Sequence, residues 1–281
     1  MSVLTFRGGT HPYDGKALSR DAAIEEIKPG EELVFPLSQH IGAPAVPIVE
    51  IGERVLAGQK IAAKSGFISA NIHSSVSGTV IKIEPRTIAT GGKVNSIIIR
   101  NDNLYEQAPP INDKNPDDMT DDEIRTVIEE AGIVGMGGAG FPTNVKLTPK
   151  NPEVIDTIIV NGAECEPYLT SDYRRMLEYT DELVKGLKIV LRLFPGARGV
   201  FGVEDNKPEA IKALKKATSG ENNIEVAVLK TKYPQGGERC MIKAVTGREI
   251  NSKMLPADAG CIVHNIDTIA SIYQAVYEGR P

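Results

Sequence analysis

The sequence contains few cysteines and few aromatic residues: its 281 residues include three Cys, no Trp and only 5% aromatic side chains. Cys165, Cys240 and Cys261 are widely spaced and form no C-x-x-C pair. This pattern predicts neither a disulfide framework nor an iron–sulfur or zinc site, and it fits a reducing cytosol. The four histidines are scattered as well. We therefore expect no metal-binding residues.

Long hydrophobic runs and an excess of basic charge are also missing. No segment approaches the roughly 18 consecutive apolar residues of a membrane-spanning helix, and the first residues do not resemble a signal peptide. We therefore expect no direct membrane span, which still permits docking on a membrane complex. The net charge of −5 argues against nucleic-acid binding, because phosphate recognition requires a basic face.

Residues 1–100 have the pattern of a small all-β unit. Gly and Pro interrupt short β-branched runs such as P-I-V-E-I and V-S-G-T-V-I-K-I, which predict short strands joined by tight turns. Residues 49–61 and 72–80 resemble the biotinyl/lipoyl-like barrel-sandwich fold. The hairpin that would carry a prosthetic group in a true carrier domain, residues 65–73, contains no lysine. We therefore predict a structural β module preceded by an N-terminal segment, without a swinging arm.

An exposed connector is predicted at residues 101–122, because this segment is rich in Asp, Asn and Pro and has almost no apolar residues. Residues 123–281 then have the pattern of an α/β domain. Thr120 and Glu123 form a capping box, which predicts a helix that ends at Gly132.

Helices and strands alternate beyond this first helix. Strands are predicted at residues 157–160, 199–203 and 225–229, and helices at residues 180–193, 208–217, 237–245 and 266–277. This alternation predicts an at least partly parallel sheet covered by helices. Ligands of such folds bind at the C-terminal ends of the strands, where the segments at Asn161 and Glu204 emerge.

Residues 135–147 read G-M-G-G-A-G-F-P-T-N-V-K-L, a glycine-dense loop that is followed by Lys146. Glycine has no Cβ, so this backbone can bring several N–H donors against a phosphate or a planar ring. The apolar run at residues 158–160 then ends in N-G-A-E-C-E-P, which places acid and amide groups at the end of a strand. Together these segments predict a nucleotide-binding site.

The glycines at 135, 137 and 140 also satisfy G-x-G-x-x-G, and Glu164 lies about where that fingerprint has its ribose-binding acid. The fingerprint requires a strand immediately before the glycines, whereas the preceding residues predict a helix. We expect the loop to bind its nucleotide in a geometry other than that of a Rossmann site. No nucleophile or acid–base pair is visible, and Cys165 is predicted to be a small half-buried residue, since neighbouring acids raise the pKa of a thiol.

Several motifs carry a family resemblance. G-M-G-G-A-G-F-P-T-N-V-K and N-G-A-E-C-E-P-Y-L-T-S-D-Y-R resemble the flavin loop and the acidic segment of the NADH- and FMN-binding subunit of respiratory complex I. With F-R-G-G-T-H-P and P-L-S-Q-H-I-G-A-P-A, the chain more closely resembles the C subunit of the Rnf ion-translocating electron-transport complex. The resemblance implies a barrel-sandwich module followed by an α/β domain that binds FMN and NADH.

The resemblance also implies which residues bind these nucleotides. The residues that it assigns to FMN are Gly137, Gly138, Gly140, Lys146, Asn161, Glu164, Gly237, Glu238 and Asn265. Asn161 and Glu164 match positions that hold the ribityl chain and the ring edge, and Glu166 matches an acid near the nicotinamide nucleotide. Phe141 is the natural aromatic platform for an adenine or nicotinamide ring. Near Lys253, Met254 and Leu255 stand where the family relative has a phenylalanine for the adenine.

The implied reaction is hydride transfer between NADH and bound FMN, followed by electron transfer to iron–sulfur clusters and ferredoxin. The implied location is the cytoplasmic face of the cell membrane, as a peripheral subunit with other Rnf subunits as partners and ferredoxin as an indirect one. The resemblance implies 4Fe–4S clusters only in a C-terminal part of the family that would lie beyond Pro281. Two alternatives stay open, namely a non-catalytic scaffold that docks other subunits and an NAD-binding enzyme without flavin.

Overall fold

The computed structural model describes residues 3–281, which form two compact units. The β unit comprises Glu26–Lys146 and Gln274–Pro281, and the α/β unit comprises Met1–Glu25 and Leu147–Tyr273. Each unit is therefore built from two separate stretches of the chain: residues up to Glu25 belong to the α/β unit, and the last eight residues belong to the β unit. The predicted boundaries at residues 100 and 122 stay a prediction.

The β unit contains seven short strands within the described residues. They are β1 (Glu32–Pro36), β2 (Val46–Pro47), β3 (Arg54–Val55), β4 (Lys60–Ala63), β5 (Ile72–His73), β6 (Gly78–Thr87) and β7 (Lys93–Asn101). Antiparallel pairing gives one sheet of order β1-β7-β6-β3 and a second of order β2-β4-β5. Val55, Ile61, Val80 and Ile99 are fully buried in the core of this unit, so the predicted all-β architecture is confirmed.

Two helices lie in the β unit, α1 (Asp121–Glu130) and α2 (Thr143–Lys146). α1 begins at the predicted capping box: the Glu123 N–H donates to Thr120 Oγ1 at 3.3 Å, and the Thr120 N–H donates to the Glu123 carboxylate at 2.8 Å. The apolar face of α1, which includes Ile124 and Ile128, is buried. The glycine-dense loop connects α1 to α2.

The α/β unit contains four strands within the described residues, β8 (Thr157–Gly162), β9 (Arg198–Glu204), β10 (Ile224–Leu229) and β11 (Cys261–Asn265). All their pairings are parallel, and the order of the sheet is β10-β9-β8-β11. The helices that follow are α3 (Ser171–Glu178), α4 (Thr180–Arg192), α5 (Pro208–Ala217), α6 (Glu238–Thr246) and α7 (Ile266–Glu278). The predicted parallel α/β sheet is confirmed.

Helices cover both faces of this sheet. On one face Leu187 and Leu191 of α4 pack against Gly199 of β9, and on the other Met241 of α6 packs against Gly202 of the same strand. Consequently Ile158, Ile159 and Val160 of β8 are all fully buried, as expected for a central parallel strand. No helix within residues 3–281 is long and apolar enough to cross a bilayer.

The capping box makes a testable contribution to stability. Thr120→Ala removes the side-chain acceptor at the N-terminus of α1, so we expect the free energy of unfolding to fall by about 1 kcal/mol. Thr126→Ala is the matched control, because its hydroxyl donates to the Asp122 carbonyl within the same helix and caps nothing. Urea unfolding of both variants measures the difference, and an equal loss in the two would contradict the assigned role of the cap.

Candidate functional site

The strand order of the α/β unit changes direction between β8 and β11. The chain runs outward from β8 to β9 and β10, and then crosses back to place β11 on the other side of β8. Ligands of open α/β sheets bind at such a switch point, outside the carboxyl ends of the strands. Asn161 and Asn265 are paired in register there, near the ends of β8 and β11. The topology therefore brings together two of the predicted site residues.

The Asn161 side chain links the end of β8 to the start of α6. Its Nδ2 donates to the Gly236 carbonyl at 2.7 Å, and its Oδ1 accepts from the Ala163 N–H at 3.2 Å. The Gly236 N–H in turn donates to Cys165 Sγ at 3.2 Å. A Cβ at Gly236 would lie 3.1 Å from that sulfur, so only glycine fits this approach without a shift.

The Asn265 side chain makes a second link at the same edge. Its Nδ2 donates to Asp172 Oδ2 at 2.9 Å, and its Oδ1 accepts from the Asp267 N–H at 2.8 Å in the first turn of α7. The Asp172 N–H donates to Glu164 Oε1 at 2.7 Å, at the beginning of α3. Two predicted site residues thus accept hydrogen bonds from the first turns of neighbouring helices, Asn265 from α7 and Glu164 from α3. Asp172 connects them, because it bonds both side chains.

Glu164 is a buried carboxylate in a strained backbone conformation. Its φ is 49°, in the left-handed region that residues with a side chain seldom adopt. Burial raises the pKa of Glu164, while the positive charges of Lys16 and Lys207 act in the opposite direction. Strained residues in folded proteins cluster at functional sites, where the surrounding structure holds them in place.

Buried lysines surround these acids, and sequence reasoning did not identify them. Lys207 is 2% exposed, and its Nζ donates to the Ala163 carbonyl at 2.6 Å and to Glu204 Oε2 at 3.2 Å. Lys16 Nζ lies 3.8 Å from Glu164 Oε2. Glu204, the residue at the end of β9, is 1% exposed, and burial raises its pKa. Nothing in the spacing of these lysines distinguishes them from surface lysines, since lysine is rarely buried.

The remaining predicted residues of the α/β unit lie beside this cluster in the chain. Glu166 is exposed, and its negative charge raises the pKa of the nearby Tyr233 hydroxyl. Gly237 is the N-cap of α6 and supplies no side-chain acceptor, and Glu238 is the first residue of that helix. The neighbouring Gln235 is fully buried, and its Oε1 and Nε2 have no hydrogen-bond partner among the described residues. Buried polar atoms of this kind are normally paired, so they are candidates for a bound group.

Cys165 is half-buried, and the pKa of its thiol is raised. Burial is the largest cause, and the charges of Glu204 and Glu166 add to it. The sequence indicated the effect of the adjacent Glu166, but not that of Glu204 or the larger effect of burial.

The glycine-dense loop lies in the β unit. Gly137 and Gly140 have φ values of 71° and 65°, which favour glycine. Among the described residues, the backbone N–H groups of Gly137, Gly138 and Ala139 donate no hydrogen bond to the rest of the chain. These three residues line an open cleft of about 510 Å³, together with residues 39–41.

The other two predicted residues of this unit follow the loop directly. Phe141 is partly buried, and its carbonyl accepts from the Gly135 N–H at 2.8 Å. Lys146 is partly buried and ends α2. The segment before the loop is α1 followed by one isolated bridge, between Val134 and Pro142, and no strand of the Rossmann kind.

Asp172 makes the stability of the fold depend on pH. Burial raises its pKa to about 7, and the charges of Glu164 and Asp267 act in the same direction. The Asn265 side chain and the Lys207 charge oppose the shift. The native state therefore holds a proton on Asp172 between about pH 4 and pH 7 that the unfolded chain releases. The stability that this proton contributes is complete below pH 4 and is lost as the pH rises through 7.

Asp172→Asn is expected to remove this dependence, since asparagine stays neutral and can still accept from Asn265. The unfolding free energy of the native sequence should fall between pH 5 and pH 8, whereas this contribution is absent in the variant. The difference, variant minus native, should therefore increase by at least about 1 kcal/mol from pH 5 to pH 8. Urea unfolding at several pH values measures the gain. A difference between the two proteins that is constant across this range would contradict the raised pKa.

Comparisons with known proteins agree with the architecture. Residues 128–274 match the family model described as the Nuo51 FMN-binding domain, and residues 4–104 match the RnfC barrel sandwich hybrid domain. The predicted fold class, a barrel-sandwich module followed by an α/β domain of the complex I flavin-subunit type, is confirmed by these two matches.

Curated relatives match along nearly the whole chain. The C subunit of the Na(+)-translocating ferredoxin:NAD(+) oxidoreductase complex of Acetobacterium woodii is 44% identical over 99% of this chain and 63% of its own length. The C subunit of the proton-translocating complex of Clostridium ljungdahlii is 45% identical over 99% of this chain and 61% of its own length. The chain thus spans about three fifths of the length of these two relatives.

A solved structure of the NAD+-reducing nickel–iron hydrogenase in its air-oxidized state is also similar, with a TM-score of 0.49 and 24% identity. The similarity covers 56% of this chain and 30% of the hydrogenase chain. The chain belongs to the Nuo51 FMN-binding domain family through residues 128–274, and its resemblance to the C subunit of the Rnf ion-translocating complexes is confirmed.

Proposed function

We propose that this chain is the FMN- and NADH-binding, electron-input part of an Rnf-type ferredoxin:NAD oxidoreductase. The observation that carries the proposal is the pairing of Asn161 with Asn265 at the switch point of a sheet whose sequence matches an FMN-binding family. The relatives are named as subunits of ion-translocating ferredoxin:NAD(+) oxidoreductase complexes. By analogy, its partners are the other subunits of such a complex and, indirectly, ferredoxin, at the cytoplasmic face of the membrane.

The residues present fit an anionic flavin nucleotide. In the β unit, the N–H groups of Gly137, Gly138 and Ala139 donate no backbone hydrogen bond within the described residues, and these three residues line an open cleft. In the α/β unit, the N-terminus of α6 has no side-chain cap, and the buried Gln235 amide has no partner among the described residues. Free backbone amides and a helix N-terminus both favour a phosphate or another anion.

Bound FMN would supply the redox chemistry, accepting a hydride and releasing electrons one at a time. The protein residues then need only bind, orient and exclude water, which agrees with the lack of a nucleophile or an acid–base pair in the sequence. We assign Asn161, Glu164, Asn265, Gly237 and Glu238 to FMN from the α/β unit. From the β unit we assign Gly137, Gly138, Gly140 and Lys146.

Glu166 and Phe141 are the residues that we assign to the nicotinamide nucleotide. Glu166 is exposed and can therefore meet a diffusing ligand, unlike the buried Glu164. Leu255, which stands near the position of an adenine-binding phenylalanine in the family relative, is exposed as well. An aliphatic side chain provides apolar contact for adenine but no ring stacking.

Gly138→Leu tests the glycine loop without disturbing the fold. A Cβ at Gly138 meets nothing within 4 Å, and its φ is not in the left-handed region. A leucine there adds a bulky side chain to the lining of the cleft, so we expect the Kd for FMN to rise by at least about tenfold, a loss of about 1.4 kcal/mol. Titration of the apoprotein by flavin fluorescence quenching gives the value.

Gly30→Leu is the matched control in the same unit, because a Cβ at Gly30 also meets nothing within 4 Å and its φ is also outside the left-handed region. We expect this variant to bind FMN as tightly as the native sequence. Unchanged affinity in Gly138→Leu, with normal thermal stability, would contradict the placement of FMN at the loop.

An anaerobic titration of the FMN-loaded chain with NADH and NADPH separates the proposal from its alternatives. We expect NADH to bleach the flavin absorbance at about one equivalent, because a hydride carries the two electrons of full flavin reduction. A docking scaffold would neither retain flavin nor respond to NADH. An NAD-binding enzyme without flavin would bind NADH directly, measurable by calorimetry, with no flavin band to bleach.

A further inference from the structure

Residues 3–25, here called the N-terminal strap, cross the carboxyl-end loops of the parallel sheet in the α/β unit. The Leu4 N–H donates to the Val228 carbonyl at 2.8 Å, and the Lys230 N–H donates to the Leu4 carbonyl at 2.9 Å. Further along, Thr10 and Tyr233 exchange both backbone hydrogen bonds, each at 2.8 Å. The strap therefore extends from β10, the edge strand of the sheet, to the segment that precedes α6.

A buried lysine fastens the first half of the strap. The Lys232 ammonium donates to the carbonyls of Phe6 and Gly8 and lies 3.8 Å from the centroid of the Phe6 ring. The backbone N–H of Lys232 also donates to Glu204 Oε1 at 3.2 Å. Lys232 thus connects the strap to the buried acid at the end of β9.

Lys16 fastens the second half of the strap to the loop after β8. Its Nζ donates to the Glu166 carbonyl at 3.0 Å and to the Leu169 carbonyl at 2.5 Å, and it lies 3.8 Å from Glu164 Oε2. The Tyr168 N–H donates to the Asp14 carbonyl at 2.6 Å. Lys16, which is 7% exposed, therefore bonds both ends of the segment that carries the two predicted nucleotide-binding acids.

This loop requires such support. Glu164 and Tyr168 both have positive φ, at 49° and 67°, and a strained residue of this kind costs on the order of 1 kcal/mol or more. The conformation persists only where the surroundings fix it. Two carbonyls and a carboxylate around the Lys16 ammonium offset the free-energy cost of removing this charge from water.

We propose that Lys16 is a positioning residue of the nucleotide site: its ammonium holds residues 163–170 so that the Glu164 and Glu166 side chains are placed for their ligands. The strap is then a part of the site, although it lies about 150 residues away in sequence. This inference rests on the proposed function for the identity of the ligands. The hold on the loop itself does not depend on any ligand.

Hydrogen exchange of the ligand-free chain tests the hold directly. Lys16→Met keeps the length of the side chain and removes its charge and donors, so exchange of the amides in residues 163–172 should accelerate by at least about tenfold. Lys212→Met, at an exposed lysine of α5, is the matched control and should exchange like the native sequence. Lys16→Arg keeps a positive charge and N–H donors, so it should restore most of the protection.

Steady-state kinetics of the FMN-loaded chain with NADH and an artificial acceptor supply the second measurement. Displaced acids weaken ground-state binding, so Lys16→Met should raise KM for NADH by about tenfold or more with kcat changed by less than about threefold. Lys16→Arg should recover most of this KM. Native exchange and native KM in Lys16→Met would overturn the proposal, as would losses of the same size in Lys16→Met and Lys16→Arg, which would show an effect of packing alone.

The two proposals fail in different ways. A native chain that binds no FMN refutes the proposed function, whereas the exchange measurement still decides the role of Lys16. If Lys16→Met does not unfold cooperatively, Ser19→Ala takes its place, because Ser19 Oγ lies 2.8 Å from Thr170 Oγ1 at the end of the same loop. Faster exchange of residues 163–172 in Ser19→Ala would agree with the proposal that the strap holds this loop. Unchanged exchange would overturn that proposal.

Discussion

The parallel pairing of β8 with β11 is the constraint on which the site in the α/β unit depends. It sets Asn161 opposite Asn265 and aligns the carboxyl ends of two strands at the point where the sheet changes direction. A shift in this register would separate the two amides and break the contacts that each makes with Gly236 and Asp172. The segment that precedes α6, the first turn of α7 and the beginning of α3 are all tied to this edge by side-chain hydrogen bonds.

The polar side chains at this edge are held before any ligand arrives. Asn161, Glu164 and Asn265 each form hydrogen bonds with the backbone or with other side chains, so little conformational entropy remains to be lost on binding. Buried lysines balance the buried acids Glu164 and Glu204, which keeps a cluster of carboxylates stable in a poorly solvated place. Such an edge is suited to a cofactor that must be bound tightly and oriented closely.

Much of this architecture is predictable from the sequence. The strands β8, β9 and β10 follow from their apolar runs, the helices α4 to α7 from their periodicity, and the start of α1 from its capping box. β11 was not predicted as a strand, because Cys261–Asn265 is short and contains His264 and Asn265 between apolar residues. α3 was not predicted either, since five of its eight residues are polar or charged. The buried lysines follow only from tertiary contacts between distant segments, which no local pattern encodes.

The most direct test of the central claim is an NMR titration of the labelled chain with FMN that follows the side-chain amides of asparagine. If FMN binds at the switch point, the resonances of Asn161 and Asn265 shift or broaden as the cofactor saturates, and those of Asn222 and Asn223, which precede β10 at the amino end of the same sheet, keep their positions. Saturation with FMN that leaves Asn161 and Asn265 unchanged would contradict the account.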